Sequence, residues 1–467
     1  MAYSLTGTAS FSADIHDPFG TERDAPPKPG MRWDSPTAMP QVPAPPSARL
    51  PDADRPLTLP ELTELALENN PRTRQAWFAA RAAAANVGIE RADLLPQIAA
   101  GYTATRTLPV SATSGAQSPW LDRWGPTMSL SFVLFDFGAR ADQVESAEYR
   151  LLATNLAQNR VLQEVVLQVE QSYYQLLGLD ALVRVNEQSL KNNQTALEAA
   201  QRRRESGLAT VADVYRAETQ VAQAQLNLTR SRGDLQKARG QLANAVGMPI
   251  NGAMNVQMLS GPPKIREVES SLNELLEQAK KTRPDLIAAE AQAHAARASA
   301  SATAKAGLPS IDVTGAAGYN LFGGNQPGVY NYAVALNLRI PLFTGFRDTY
   351  SVRQAEAQAA QAEAARDALY QQTQLDVWLA YYDLQTAASG TSSTEAQVRS
   401  AEQTAQATLA RYQGGFGSIL DLITAQQDES NARVQRIQSY LDWYTALARL
   451  TFAMGQSGTI AMKDVRQ

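Results

Sequence analysis

The sequence predicts an internally duplicated α+β membrane protein, in which long α-helical hairpins alternate with two β-hairpins that supply four strands to a barrel. Three observations lead there. The chain repeats itself at half-length, it carries two helical stretches of about 68 residues without a breaker pair, and two short stretches switch to a period of two.

The repeat is read directly. A shift of 208 brings Leu134-Phe135 onto Leu342-Phe343, Val169 onto Val377, Tyr173-Tyr174 onto Tyr381-Tyr382, and Gly207, Asp213 and Gly247 onto Gly415, Asp421 and Gly455. Upstream, a shift of 213 brings Leu59, Leu62, Ala66, Pro71 and Pro96 onto Leu272, Leu275, Ala279, Pro284 and Pro309. Such a period is far longer than that of solenoid repeats. Two interlocked halves follow, 57–258 and 259–467, preceded by an arm at 1–56.

The arm holds eleven of the 24 prolines and reads as extended, because proline fixes φ and removes a donor. From Leu57 the composition turns to strong helix formers. A first helix is expected over about 60–94, stopped by Pro96, and its partner over about 271–307, stopped by Pro309. Period-two segments follow each stop. Met128, Leu130, Phe132 and Leu134 share one face against Thr127, Ser129 and Ser131. Tyr330, Tyr332, Val334, Leu336, Leu338 and Ile340 alternate with Asn331, Ala333, Ala335, Asn337 and Arg339. Preceding strands are expected at about 97–107 and 310–320, so the β parts are 97–137 and 310–344. The long helices run from Ala139 to Gly207 and from Asp348 to Gly414. Each turns at glycine and returns as a shorter helix, about 209–246 and 418–454.

Composition bounds the chemistry. The net charge is −4 with 19% charged residues, which offers no basic surface to nucleic acid. Without cysteine there are no disulfides, thiolate metal sites or cysteine nucleophiles. The two histidines, His16 and His294, lie far apart, no nucleotide or nucleophile-elbow motif occurs, and the nine methionines do not cluster. No catalytic residue, metal site or cofactor is expected. No run reaches the ~20 apolar residues of a membrane helix, and the start has no basic-then-apolar leader. The chain therefore reads either as cytosolic or as a mature sequence.

The strands decide between two readings. A soluble hairpin packed on helices is the plain one. However, four strands cannot close a barrel alone, and so apolar an open edge invites aggregation. Strands of this length, with one apolar face and aromatic ends, fit an outer-membrane barrel completed by other copies. On that reading Met128, Leu130, Phe132, Leu134, Tyr332, Val334, Leu336 and Leu338 face lipid. Tyr102, Trp120, Trp124, Phe135, Tyr319, Phe322, Tyr330, Phe343 and Phe346 girdle the interfaces. The return helices carry polar stripes, Asp213, Arg216, Gln220, Gln223, Asn227, Arg230 and Asp234 in one, and Asp421, Thr424, Asp428, Asn431, Gln435, Gln438 and Asp442 in the other. A solvated outer face and a water-filled interior both account for such stripes.

Over about 57–456 the chain resembles the TolC-like outer-membrane channels of tripartite efflux and type I secretion. The motifs are the helix-turn-helix tip Arg411-Tyr412-Gln413-Gly414-Gly415 with Asp421-Leu422-Ile423-Thr424-Ala425, its first-half copy from Arg203 to Val214, and the corners Leu134-Phe135-Asp136-Phe137-Gly138 and Pro341-Leu342-Phe343-Thr344-Gly345. The resemblance implies a homotrimer with a twelve-stranded outer-membrane barrel and a periplasmic helical barrel tapering to a closed tip. It implies a periplasmic adaptor and an inner-membrane pump as partners, in a Gram-negative envelope. Asp421 matches a pore-lining acidic position. Thr424 stands where a second acid is usual, and Asp428 could substitute. Asp213, Arg216 and Tyr412 belong to the gate region, where Asp213 and Tyr412 match positions that latch the tips by hydrogen bonds. Gly207-Leu208 and Gly414-Gly415-Phe416 match the adaptor-docking turns. A competing role for Asp421 is to cap its helix. A soluble coiled-coil scaffold remains the alternative function.

Overall fold

A computed structural model describes residues 55–108, 120–250, 254–257, 271–324 and 326–456. Residues 1–54 of the arm expected at 1–56, and most of the junction between the halves, 258–270, lie outside the described residues.

Each half begins with a broken helix. α1 (Leu59–Asn69) and α2 (Pro71–Ala92) replace the single helix expected over 60–94, and α5 (Leu272–Thr282) and α6 (Pro284–Ala306) replace that expected over 271–307. The expectation failed because proline also restrains its predecessor. Asn70 (ψ 127°) and Arg283 (ψ 115°) are both extended, so each proline opens a new helix at its first position. The two breaks are fastened differently. Asn70 accepts from the Arg72 amide at 2.9 Å and donates to the Ala245 carbonyl at 3.0 Å. Arg283, 2% exposed, donates to both oxygens of Asp285 and to Asp376 at 2.9 Å.

The strands are β1 (Gln97–Thr107), β2 (Leu121–Phe135), β3 (Ser310–Phe322) and β4 (Val329–Arg339), in one antiparallel sheet of order β1-β2-β3-β4. Gln97 faces Ser131 in the first hairpin and Ser310 faces Arg339 in the second. These are one pairing under the two repeat shifts, so the duplication extends to strand register. Leu134 departs from the expected alternation. A bulge lies between Val133 and Phe135, and Phe135 rather than Leu134 pairs with Ile311. An extra residue in one strand breaks the period of two. Gly125 permits a second irregularity, since a Cβ there would lie 1.7 Å from the Tyr319 carbonyl oxygen.

α3 (Ala139–Glu205) and α7 (Arg347–Gln413) each have 67 residues, about 100 Å of helix. α4 (Val211–Val246) and α8 (Ile419–Ala453) return beside them. The cores are repeats of one another. Leu62, Val169, Leu176 and Leu242 join α1, α3 and α4, and their equivalents Leu275, Val377, Leu384 and Leu450 join α5, α7 and α8. α3 also packs on α6 and α8, which ties the halves together. At Gly178 the approach of α3 to α8 is close: a Cβ there would lie 2.2 Å from the Leu441 side chain. Among the described residues no helix is long and apolar enough to cross a membrane.

Candidate functional site

The two hairpin tips form the first candidate region. α3 and α7 end in matching turns. The amides of Gly207 and Leu208 donate back to Arg204 and Arg203, and those of Gly415 and Phe416 to Tyr412 and Arg411. Such endings place one residue in the left-handed region, where glycine carries no Cβ penalty. That residue is Gly207 (φ 71°) and Gly415 (φ 86°), with open space around both Cβ positions. Gly414, expected in the same role, is a right-handed cap at φ −76°. Beside the turns Leu208 and Phe416 stand 68% and 83% exposed, large apolar side chains with no cover in the single chain.

Each return helix opens with a capping box. The Thr210 hydroxyl accepts from the Asp213 amide at 3.3 Å, and Asp213 accepts from the Thr210 amide at 2.9 Å. Ser418 and Asp421 repeat the arrangement at 3.1 and 3.4 Å. The capping role weighed for Asp421 is therefore real. It leaves the carboxylate exposed, on one stripe with exposed Thr424 and Asp428. Hydrogen bonds from Thr210, then the charge of Arg216 at 3.8 Å, hold the Asp213 carboxyl below the usual range.

Tyr412 departs from its expected place. It is 2% exposed, packed with Ala196, Ala200, Val214, Ala217, Ile419 and Leu422, and its hydroxyl has no partner in the single chain. No hydrogen bond joins it to Asp213. The bond between the hairpins comes from Arg203, whose Nη1 donates to the Tyr412 carbonyl at 2.5 Å while its guanidinium lies 4.6 Å from the Tyr412 ring centre. Burial pushes the Tyr412 hydroxyl up, and Arg203 and Asp213 act on it with opposite signs. Arg203 belonged to the tip motif, yet nothing along the chain shows a contact reaching across 209 residues.

The sheet is the second candidate region. Strand register places Ile98, Ala100 and Tyr102 of β1, Trp124, Met128, Leu130 and Phe132 of β2, Val313 of β3, and Tyr332, Val334, Leu336 and Leu338 of β4 on one face. Tyr332 and Val334 are 87% and 80% exposed. The other face carries Thr103, Ser129, Ser131, Asp312, Asn337 and Arg339, with Asn337 donating to Asp312 at 2.9 Å. Aromatic residues crowd both ends. Tyr319 and Tyr330 lie 4.6 Å apart at one, and Phe135 with Phe137 and Phe343 with Phe346 meet edge-on at the other. Phe137 (φ 54°) and Phe346 (φ 62°) hold left-handed backbone at the strand-to-helix corners, where a non-glycine residue is uncommon. Pattern alone did not foretell that strain.

His294 stacks on Tyr149 and sits 3.2 Å from Glu290, a surface packing position.

Comparison with known proteins gives the same architecture. The protein CyaE of Bordetella pertussis is 27% identical over 92% of this chain and 88% of its own length. The outer membrane protein OprJ of Pseudomonas aeruginosa is 26% identical over 85% and 84%. The crystal structure of the outer membrane protein VceC from Vibrio cholerae superposes with a TM-score of 0.76 at 23% identity, covering 85% of this chain and 96% of that one. The family model described as outer membrane efflux protein matches residues 62–248 and 275–456, and this chain belongs to that family.

Proposed function

We propose that this protein is the exit duct of a tripartite export system, spanning the outer membrane with its sheet and reaching into the periplasm with its helices. It conducts cargo passively and is not an enzyme. One observation carries the reading. A four-stranded sheet that is apolar on one face and polar on the other, open at both edges, continues directly into helices of 67 residues. Lipid satisfies the apolar face, and closure with further copies satisfies the edges. Three chains give twelve strands. A soluble scaffold gives the Tyr332–Leu338 face no use.

In this duct Met128, Leu130, Phe132, Tyr332, Val334, Leu336 and Leu338 meet lipid. Asp421, Thr424 and Asp428 line the narrow tip, where carboxylates near a threefold axis favour cations. Leu208 and Phe416, held out by the Gly207 and Gly415 turns, are the contacts for a periplasmic adaptor, which in turn connects to an inner-membrane pump. The Arg203–Tyr412 link keeps the two hairpins of one chain together in the closed state.

The test is conductance of the purified protein in planar bilayers. We expect discrete cation-selective channels, with selectivity reduced in Asp421→Ala and closed-state conductance raised in Arg203→Met. Absence of channels would sink the duct. Channels whose selectivity ignores Asp421→Ala would remove only the acidic lining.

A further inference from the structure

The seam between α3 and α8 holds a cavity of about 420 Å³ that neither the tip nor the sheet uses. Its floor is aromatic: the rings of Tyr174 and Tyr444 stack at 4.6 Å, 14° from parallel. Leu177, Ile437 and Leu441 form aliphatic walls. Most of the polar groups around it are already engaged. Tyr440 donates to Glu395 at 2.9 Å, Arg433 reaches Glu402 at 3.1 Å and Glu429 at 2.6 Å, and Arg184 is paired with Asp180. Arg436 also lines the cavity, and among the described residues no carboxylate pairs with it. It lies close enough to Tyr440 to act on its hydroxyl.

The duplication supplies an internal comparison. Under the shift of 208, Leu177, Gly178, Arg184 and Val185 correspond to Gln385, Thr386, Ser392 and Ser393, and Arg433, Arg436 and Tyr444 to Gln225, Leu228 and Gln236. The equivalent positions on α7 and α4 keep a tyrosine, Tyr382 for Tyr174, but have no counterpart of Tyr444 or of Arg184, Arg433 and Arg436. The stacked tyrosine pair and Arg436 are therefore features of the α3–α8 seam that the duplication does not repeat.

We infer that this cavity is a binding site for a small aromatic anion, its ring system laid against Tyr174 and Tyr444 and its carboxylate or sulfonate on Arg436. Aromatic faces favour offset stacking, and a guanidinium is suited to a planar carboxylate. The volume admits one or two fused rings. The site stands apart from the export reading, since it needs only the α3–α8 contact.

The probe is 2-naphthoate, titrated calorimetrically into the protein purified in a neutral detergent, with 2-naphthylmethanol as the uncharged comparator. Saturable uptake of one naphthoate per chain is expected, with the alcohol at least about 5-fold weaker. Arg436→Gln should bring naphthoate down to the level of the alcohol and leave the alcohol unchanged. Ala181 of α3 also lines the cavity, and Ala181→Phe should fill it and abolish both, with the elution volume of the assembled protein unchanged. Ile437→Trp, which narrows the opposite wall, serves should Ala181→Phe fail to assemble. Uptake that is not saturable, or that survives both filling variants, is detergent partition and overturns the site. Equal affinity for acid and alcohol overturns its anionic specificity.

Discussion

Glu170 is a buried carboxyl whose ionisation bears on the stability of the fold. It sits on α3, 8% exposed, and no hydrogen bond or ion pair reaches its carboxylate among the described residues. Burial alone pushes the carboxyl from 4.5 to about 7. The folded value is the higher, so the native chain holds this proton more tightly than the unfolded one. The stability tied to that proton is fully present below about pH 4.5 and is lost as the pH rises through 7. The loss amounts to about 3 kcal/mol. Glu170→Gln should therefore raise the thermal midpoint relative to the parent at pH 8.5, with the two converging near pH 5. A constant gap across that range would show that the carboxyl titrates normally. Nothing in the sequence marked Glu170, because a carboxyl on a long helix reads as a solvated face until the packing is known.

At the scale of elements, strands and long helices were legible because their signals are local. Alternation, breaker-free length and glycine at the turns each act within a few residues. The failures were local too, but masked. On both sides of Pro71 and Pro284 the composition is strongly helical, so the breaks were visible only through the restriction on Asn70 and Arg283. The bulge at Leu134 left the residue types intact and changed only their pairing. The duplication makes a further pairing predictable. Ser129 faces Ala316 across β2 and β3, and their repeat equivalents are Asn337 and Thr103. Hence β4 of one copy should meet β1 of the next with Asn337 opposite Thr103. The chain has no cysteine of its own, so the double variant Thr103→Cys/Asn337→Cys can be oxidised without competing thiols. A ladder ending at three covalently joined chains is expected on a non-reducing gel. Crosslinking that favours Gly101→Cys/Asn337→Cys instead would mean a shifted register.

For the whole molecule, the candidate site divides by how far its contacts reach. Asp421, Thr424 and Asp428 were legible as a stripe because helical spacing sets a stripe. The place of Tyr412 was not, since its burial depends on Arg203 and on the other hairpin. The open edges of β1 and β4 carry a genetic consequence. A subunit with one spoiled edge can still offer its sound edge to others, so it enters rings and ruins them. Proline at Leu336 removes a ladder donor from β4, and such a copy mixed equally with the parent leaves only about one eighth of threefold rings free of it. Leu336→Pro should thus be dominant, cutting export in a parental background by far more than half. Recessive behaviour would mean that damaged copies are discarded before they meet a partner.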